Sequence, residues 1–212
     1  MTIHTKEYME EYARLSLSEI LGFNIDTLVH CDSPDIQDFE NRIGIEVVED
    51  VYECEKELER FWEKYSNTSV NLIPKKKIDG YYSKKGTLKI EHNQLKGGSL
   101  GEEKPNSPKH LISTIRKKIS KLNSGNYVTF STYMLYVFVE TVSLYDSYVY
   151  SIIDEVNKID VPIKYNKLIL DGYFEICYCD MTTRSFSRHF IPKNTRELLS
   201  RKTADIISTY SI

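Results

Sequence analysis

The chain has 212 residues, a net charge of −3, 41% hydrophobic residues and 28% charged residues. These ordinary globular values argue against a disordered chain, and the length is sufficient to bury a sizeable core without disulfide staples. No apolar run approaches the ~18 residues of a membrane span. The N-terminal stretch MTIHTKEYMEEYA also lacks a basic region followed by an apolar one, so a soluble, cytoplasmic protein without a membrane partner is expected.

The length suits a single domain over residues 1–212, in which a loosely patterned, Lys-rich stretch at about residues 66–107 is expected to form a loop insertion. The four cysteines include one C-x-C pair, Cys177 and Cys179, with no second pair and no clustered histidine nearby. That pattern is weak for zinc, so all four thiols are expected to be reduced and mostly buried.

The first predicted element is a helix over residues 6–21, because apolar residues recur there at spacings of three and four and Gly22 follows as a stop. On a helical wheel Glu19 lies on the flank of the apolar stripe, whereas Glu10 and its acidic neighbours lie outside it or at its border. Glu19 is therefore the acid of this helix that the wheel favours for a site, although an exposed glutamate is the commoner outcome.

A short strand at residues 26–31 precedes the stretch SPDIQDFENRIGIEVVE at residues 33–49, which predicts a β-hairpin. A polar turn around Glu40 and Asn41 separates an apolar strand start from a β-branched run. If the tip lies between these two residues, the numbers of paired residues add to 81, and Asp35 is opposite Glu46.

Directly opposed residues of an antiparallel pair have Cβ atoms about 5 Å apart. Two carboxylates held that close repel each other unless a proton or a cation lies between them. A hard divalent ion such as Mg²⁺ or Mn²⁺ takes oxygen ligands and keeps several waters. Asp35 and Glu46 are therefore candidate metal ligands, with Val48 on the same face of the strand as Glu46.

The pattern Pro34-Asp35, ten further residues and then Glu46-Val47-Val48 resembles the core motif of the PD-(D/E)XK nucleases. The resemblance implies that the Asp and the Glu bind Mg²⁺ and that a Lys two residues after the Glu helps to activate the attacking water. Position 48 is Val here, so the motif is incomplete. Related nucleases often add a third acid from the first helix, and some carry the Lys on a neighbouring helix.

A purely structural reading of the same residues stays open. A Pro-Asp pair commonly begins a turn, because Pro fixes φ and Asp caps turns. A lone Glu in a strand is often an edge residue that reaches solvent. In that reading Asp35 and Glu46 bind no metal.

Beyond the hairpin, helices are predicted at residues 50–65 and 109–122, with one short strand at residues 87–91 between them. Lys118 lies at the edge of the apolar stripe of the 109–122 helix, whereas Lys117 and Lys121 face away from it. Lys118 is therefore the candidate to replace the Lys that is missing after Glu46.

The last third contains a nearly continuous apolar strand at residues 133–140, which indicates burial on both faces. A helix follows at residues 143–159, then three strands and a closing helix, at residues 167–170, 173–179, 185–191 and 195–208. This order predicts an α/β three-layer sandwich with a mixed central β-sheet flanked by helices. The resemblance implies the same restriction-endonuclease-like fold.

The charges are separated along the chain. Residues 75–121 contain 13 Lys or Arg and 4 Asp or Glu, whereas the rest of the chain contains 15 and 27. The basic stretch suits the backbone of DNA as a partner, although a solvated Lys-rich loop has the same composition.

The predicted function is a metal-dependent nuclease that hydrolyses DNA phosphodiester bonds, with Asp35, Glu46 and Lys118 as catalytic residues and Mg²⁺ or Mn²⁺ as cofactor. The alternative is a catalytically inactive protein of the same fold that acts as a nucleic-acid-binding or protein-interaction module.

Overall fold

The computed structural model describes residues 5–83, 86–99, 107–125 and 127–210. The chain divides into two compact units. The core unit comprises Met1–Asp50 and Ser107–Ile212, and the inserted unit comprises Val51–Asn106.

Six helices and nine strands make up the described chain. In order they are α1 (Lys6–Leu21), β1 (Leu28–His30), β2 (Ile36–Asp38), β3 (Ile43–Asp50), α2 (Glu53–Tyr65), α3 (Lys75–Ser83), β4 (Thr87–Glu91), β5 (Gln94–Ser99), α4 (Lys109–Leu122), β6 (Thr132–Val139), α5 (Asp146–Asn157), β7 (Lys167–Asp171), β8 (Glu175–Asp180), β9 (Ser185–Phe190) and α6 (Lys193–Tyr210). A short 3-10 helix, Val70–Leu72, precedes α3.

The core unit is built on a seven-stranded mixed sheet in the order β1-β2-β3-β6-β7-β8-β9. The central strands β3, β6 and β7 run parallel to one another, and the flanking pairs are antiparallel. Helices cover both faces of this sheet, so the predicted three-layer α/β sandwich with a mixed sheet is confirmed. The apolar run of β6 is buried almost throughout, as expected of a central strand.

Each face of the sheet packs against its own helices. On one face, buried residues of α4 and α5 pack on Leu135 and Val137 of β6. On the other face, Ala13 and Leu17 of α1 pack on Ile45. Helix α6 packs on α1 in turn, through a cluster around the buried Leu199.

The hairpin register is the predicted one. Ile36 pairs with Ile45 and Asp38 pairs with Ile43, so the numbers of paired residues add to 81. The Asp38 carboxylate fixes the turn, because it accepts hydrogen bonds from the backbone N–H and the side-chain amide of Asn41, at 2.9 and 2.8 Å. An Asx turn of this kind is why a polar Asp-x-x-Asn stretch ends one strand and starts the next.

The inserted unit corrects the prediction of a loop at residues 66–107. That stretch contains the 3-10 helix, α3 and the β4–β5 hairpin, where one strand was expected. Its core is small and largely aromatic, formed by Phe61, Tyr65, Ile73, Tyr81 and Leu95. The hairpin turn at His92 and Asn93 has φ values of 48° and 62°, which His and Asn tolerate better than most residues.

All four cysteines are free thiols, with Cys177 and Cys179 buried and the other two half-buried. Within the described ranges, no helix is long and apolar enough to cross a membrane.

Candidate active site

Glu46 lies in the middle of β3 with only 1% of its side chain exposed. Alternation along the strand turns Ile45 and Val47 toward α1 and turns Glu46 toward α4. Its Oε1 accepts hydrogen bonds from Lys118 Nζ at 2.6 Å and from Lys121 Nζ at 3.0 Å. Its Oε2 accepts one from the hydroxyl of Tyr127 at 2.8 Å. Two ammonium groups and a phenol hydroxyl thus offset the cost of burying the charged Glu46 carboxylate.

Lys118 reaches Glu46 because of the way α4 packs. The apolar stripe of α4 is buried against the sheet at Leu111, Ile115, Ile119 and Leu122. Lys118 is next to this stripe, and its Nζ also lies 3.4 Å from the carbonyl oxygen of Val47. The residue chosen from the sequence as the substitute for the missing Lys is thus in direct contact with Glu46.

Lys121 and Tyr127 were not identified from the sequence. Lys121 was expected to face away from the stripe, and its side chain is in fact half exposed. Its flexible stem nevertheless carries Nζ back to Glu46, and it lies three residues after Lys118, on the same side of α4. Nζ of Lys121 also lies 5.5 Å from the centre of the Tyr127 ring, a cation–π distance.

Asp35 lies just before β2 and is 2% exposed. Its Oδ2 accepts a hydrogen bond from the backbone N–H of Val47 at 2.8 Å, and its Oδ1 lies 3.4 Å from Lys6 Nζ of α1. The side chain therefore contacts the backbone of the residue after Glu46. Glu46 is turned toward α4, whereas Asp35 contacts Lys6 of α1, so the two predicted acids lie on adjacent segments and are bonded to different partners.

Gly44 allows the segment before Asp35 to lie against β3. A Cβ atom at this position would come within 2.5 Å of Pro34 Cγ and 2.7 Å of Phe130 Cδ2. A larger residue would therefore displace Pro34, the Phe130 ring or both, and Asp35 directly follows Pro34. The glycine in the run IGIEVV thus has a positional role, next to the site.

The acid of α1 that lies beside Asp35 is Glu10, not Glu19. Glu10 is 9% exposed, and Lys6 Nζ lies 3.0 Å from its Oε1 while also contacting Asp35. Glu19 is 45% exposed and pairs with Lys202 of α6. The helical wheel favoured Glu19 because the buried side of α1 was inferred from its apolar residues alone. The first turns of α1 also bury charged residues, among them Glu11, which bonds to Arg14 and His30.

The pKa values of Glu46, Glu10 and Tyr127 are shifted for different reasons. Burial alone would raise the pKa of Glu46, but Lys118, assisted by Tyr127 and Lys121, holds that pKa below its usual value. Burial raises the pKa of Glu10, and the nearby Asp35 carboxylate raises it further against the opposing effect of Lys6. Burial and the Glu46 carboxylate, with a smaller effect of Asp35, raise the pKa of the Tyr127 phenol. The charges of both predicted acids, Asp35 and Glu46, therefore raise the pKa of the same tyrosine.

The donor atoms around the site are carboxylate and carbonyl oxygens, the type of ligand that a hard cation such as Mg²⁺ takes. Glu46 Oε1 and the Val47 carbonyl converge on the ammonium of Lys118, and Glu10 and Asp35 flank the ammonium of Lys6. In the part of the chain that the structure describes, no group of three or more His, Cys, Asp or Glu residues is arranged to hold a metal ion. Mg²⁺ is usually held by one or two carboxylates together with waters and substrate phosphates. Here Glu46 and Asp35 are each engaged by a different ammonium group, Lys118 and Lys6.

No known protein family, curated protein or solved structure matches the chain. The geometry of the site is therefore the main support for a function.

Proposed function

We propose that the core unit is a metal-dependent nuclease that hydrolyses phosphodiester bonds in DNA. The observation that carries the proposal is the contact of 2.6 Å between Lys118 Nζ and Glu46 Oε1, made across 72 residues of sequence and beside the buried Asp35. An acid pair with an adjacent lysine is the set of groups that the PD-(D/E)XK resemblance implies. The lysine comes from α4 in place of position 48.

Asp35 and Glu46 would be the residues that hold a Mg²⁺ or Mn²⁺ ion. Such an ion lowers the pKa of a bound water and offsets the charge that develops on the phosphate. Glu10, which shares Lys6 with Asp35, is the acid of the first helix available to support this pair.

Lys118 would orient the attacking water or a phosphate oxygen. Its ammonium is held by Glu46 and by the Val47 carbonyl, while its side chain keeps 21% of its surface exposed. Lys121 is half exposed, so it is suited to meet the DNA backbone at the edge of the site. The other lysines of residues 75–121 would add sequence-independent affinity for DNA.

The direct test is cleavage of single- and double-stranded DNA in Mn²⁺ by purified wild type, Glu46→Gln and Lys118→Ala. Loss of one preorganised group that stabilises charge in the transition state typically costs about 100-fold or more, and we expect losses of that size in both variants. Lys193→Ala is the control, because Lys193 is an exposed lysine of α6 and lies outside the basic stretch at residues 75–121. Wild type that cleaves none of several substrates would overturn the proposal.

The alternative is a binding module of the same fold without catalysis. It is favoured by the closed network around Glu46, whose two oxygens are already bonded to two lysines and a tyrosine. A metal ion that binds only the native state raises the melting temperature by mass action. A nuclease site predicts a Mn²⁺-dependent rise that Asp35→Asn abolishes, whereas the binding module predicts no rise in either protein.

A further inference from the structure

A cleft of about 550 Å³ opens beside the candidate site in the core unit. Its walls come from the end of α4, from the loop that leads into β6 and from the segment before β7. A cleft of this volume lies within the range of small-ligand sites. It is formed by residues that the assignment of Asp35, Glu46 and Lys118 does not use.

Tyr127 connects the cleft to the site. Its hydroxyl donates to Glu46 Oε2, and the same residue lines the cleft. A group bound in the cleft would thus be separated from the Glu46 carboxylate by a single side chain. Phe130 and Tyr133, both 7% exposed, add further aromatic wall.

The polar groups at the rim of the cleft are of two kinds. Most are bonded within the protein: Asn166 Oδ1 accepts from the backbone N–H of Tyr133 at 2.8 Å, and Lys164 Nζ donates to the carbonyl of Asn157 at 3.1 Å. The side-chain amide N–H₂ of Asn166 and the hydroxyl of Thr129 make no hydrogen bond to any described residue, and both residues are exposed. The free groups are therefore neutral.

We propose that this cleft takes one unstacked nucleobase of a single-stranded or locally opened nucleic acid, next to the phosphate that lies at Glu46 and Lys118. The proposal rests on the proposed function for the position of that phosphate. Aromatic walls receive the face of a base, and a side-chain amide with a hydroxyl bonds to its edge. A phosphate group fits the cleft poorly, because Lys164, its one lysine among the described lining residues, is turned to a backbone carbonyl.

The test measures binding without cleavage, by fluorescence anisotropy in EDTA. The probes are labelled octamers of dA, dC and dT and an octamer of abasic deoxyribose phosphates, which carries the backbone alone. Wild type should bind at least one base-bearing octamer about tenfold more tightly than the abasic one, since a tenfold ratio corresponds to about 1.4 kcal/mol.

Two variants and one control decide whether this preference comes from the cleft. Thr129→Val removes the hydroxyl at constant shape, and Asn166→Asp removes the amide donor while retaining the oxygen that accepts from Tyr133 N–H. Each should reduce the preference for bases over the abasic chain several-fold. Asn194→Asp makes the same change of charge at an exposed position of α6 and should leave the preference unchanged.

The outcomes separate the two proposals. A base preference that depends on Thr129 and Asn166 in a protein that does not cleave DNA would support the cleft and overturn the nuclease. Equal binding of base-bearing and abasic octamers by wild type, or an undiminished preference in both variants, would overturn the cleft proposal even if DNA is cleaved.

Discussion

At the scale of single residues, Glu46 is a buried carboxylate whose charge depends on its neighbours. A buried charge is tolerated when it is paired and hydrogen-bonded, and Lys118, Lys121 and Tyr127 supply that pairing. Because its pKa is lowered in the folded protein, ionised Glu46 contributes stability that is complete above its ordinary pKa and is lost as the pH falls through the folded value.

We therefore predict that Glu46→Gln lowers the free energy of unfolding at pH 7 by about 2 kcal/mol, the size typical of hydrogen bonds to a charged group. The difference from wild type should shrink as the pH falls below the ordinary Glu pKa of 4.5. Urea unfolding at a series of pH values measures it, with the exposed Glu40→Gln as the control. A difference that is constant from pH 7 to pH 3 would contradict the assignment.

The pKa shift of Glu10 is opposite in direction to that of Glu46. Its pKa is raised by burial and by Asp35, so its ionisation costs stability as the pH rises through the folded value. Glu10→Gln should therefore be more stable than wild type at pH 7 and should lose that advantage near pH 4. Thermal unfolding at the two pH values tests this, and a variant that is less stable than wild type at pH 7 would refute it.

The positions of some of these residues could be predicted from the sequence, and those of others could not. The turn chemistry at residues 38–41 and the β-branched run of β3 determine how β2 pairs with β3, so the register of the hairpin could be predicted. Lys118 could be selected from its place at the edge of an apolar stripe. Glu10 and Tyr127 could not, because they are positioned by a helix that buries charged residues and by a loop without a regular pattern.

At the scale of elements, the hairpin and α4 meet at the site. Packing of the α4 stripe determines where Lys118 points, and the close approach of Pro34 to Gly44 determines where Asp35 lies. Both depend on tight contacts, and a well-packed interior transmits a local displacement to its neighbours.

Gly44→Ala should accordingly destabilise the protein by about 1–3 kcal/mol, the usual cost of forcing an extra methyl group into a packed site. It should also reduce any Mn²⁺-dependent rise in melting temperature, because Asp35 follows Pro34. Gly97→Ala is the control: a Cβ there would meet its nearest neighbour, Lys89 Cβ, at an ordinary 3.6 Å. Equal unfolding midpoints for the two variants would show that the Gly44 contact is unimportant.

The inserted unit shows where pattern reading of elements fails. Its residues 66–107 have scattered apolar positions, so no stripe was visible, yet five residues distributed over α2, the end of the 3-10 helix, α3 and β5 form one aromatic core. Such a core is assembled from contacts between elements, which periodicity within one element does not reveal. The long helices and the central strand, with strong local patterns, were predicted within a few residues.

At the scale of the whole molecule, the chain leaves the core unit after β3 and returns at α4. The two ends of this excursion lie close together inside the core unit, since His110 Nδ1 of α4 is 2.7 Å from Asp50 Oδ1 of β3. Chains tolerate insertions best where the ends are near each other.

Replacing residues 52–106 with a short Gly-Ser linker should therefore leave a core unit that still unfolds cooperatively. Circular dichroism during urea unfolding measures this, and the steepness of the transition should fall with the smaller surface exposed. A shortened protein without a cooperative transition would mean that the core unit requires the inserted one to fold.

The central claim is that Lys118 of α4 acts in place of a lysine at position 48. The most direct measurement is the single-turnover rate of DNA cleavage in Mn²⁺ by wild type, Lys118→Ala and the double variant Val48→Lys/Lys118→Ala, each at a matched folded fraction. Val48 lies two residues after Glu46 and packs toward α4, so a lysine there starts on the correct face of β3. We predict that the rate falls about 100-fold in Lys118→Ala, the size typical of losing one positioned charged donor, and recovers in part in the double variant. Cleavage by Lys118→Ala at the wild-type rate would contradict the account.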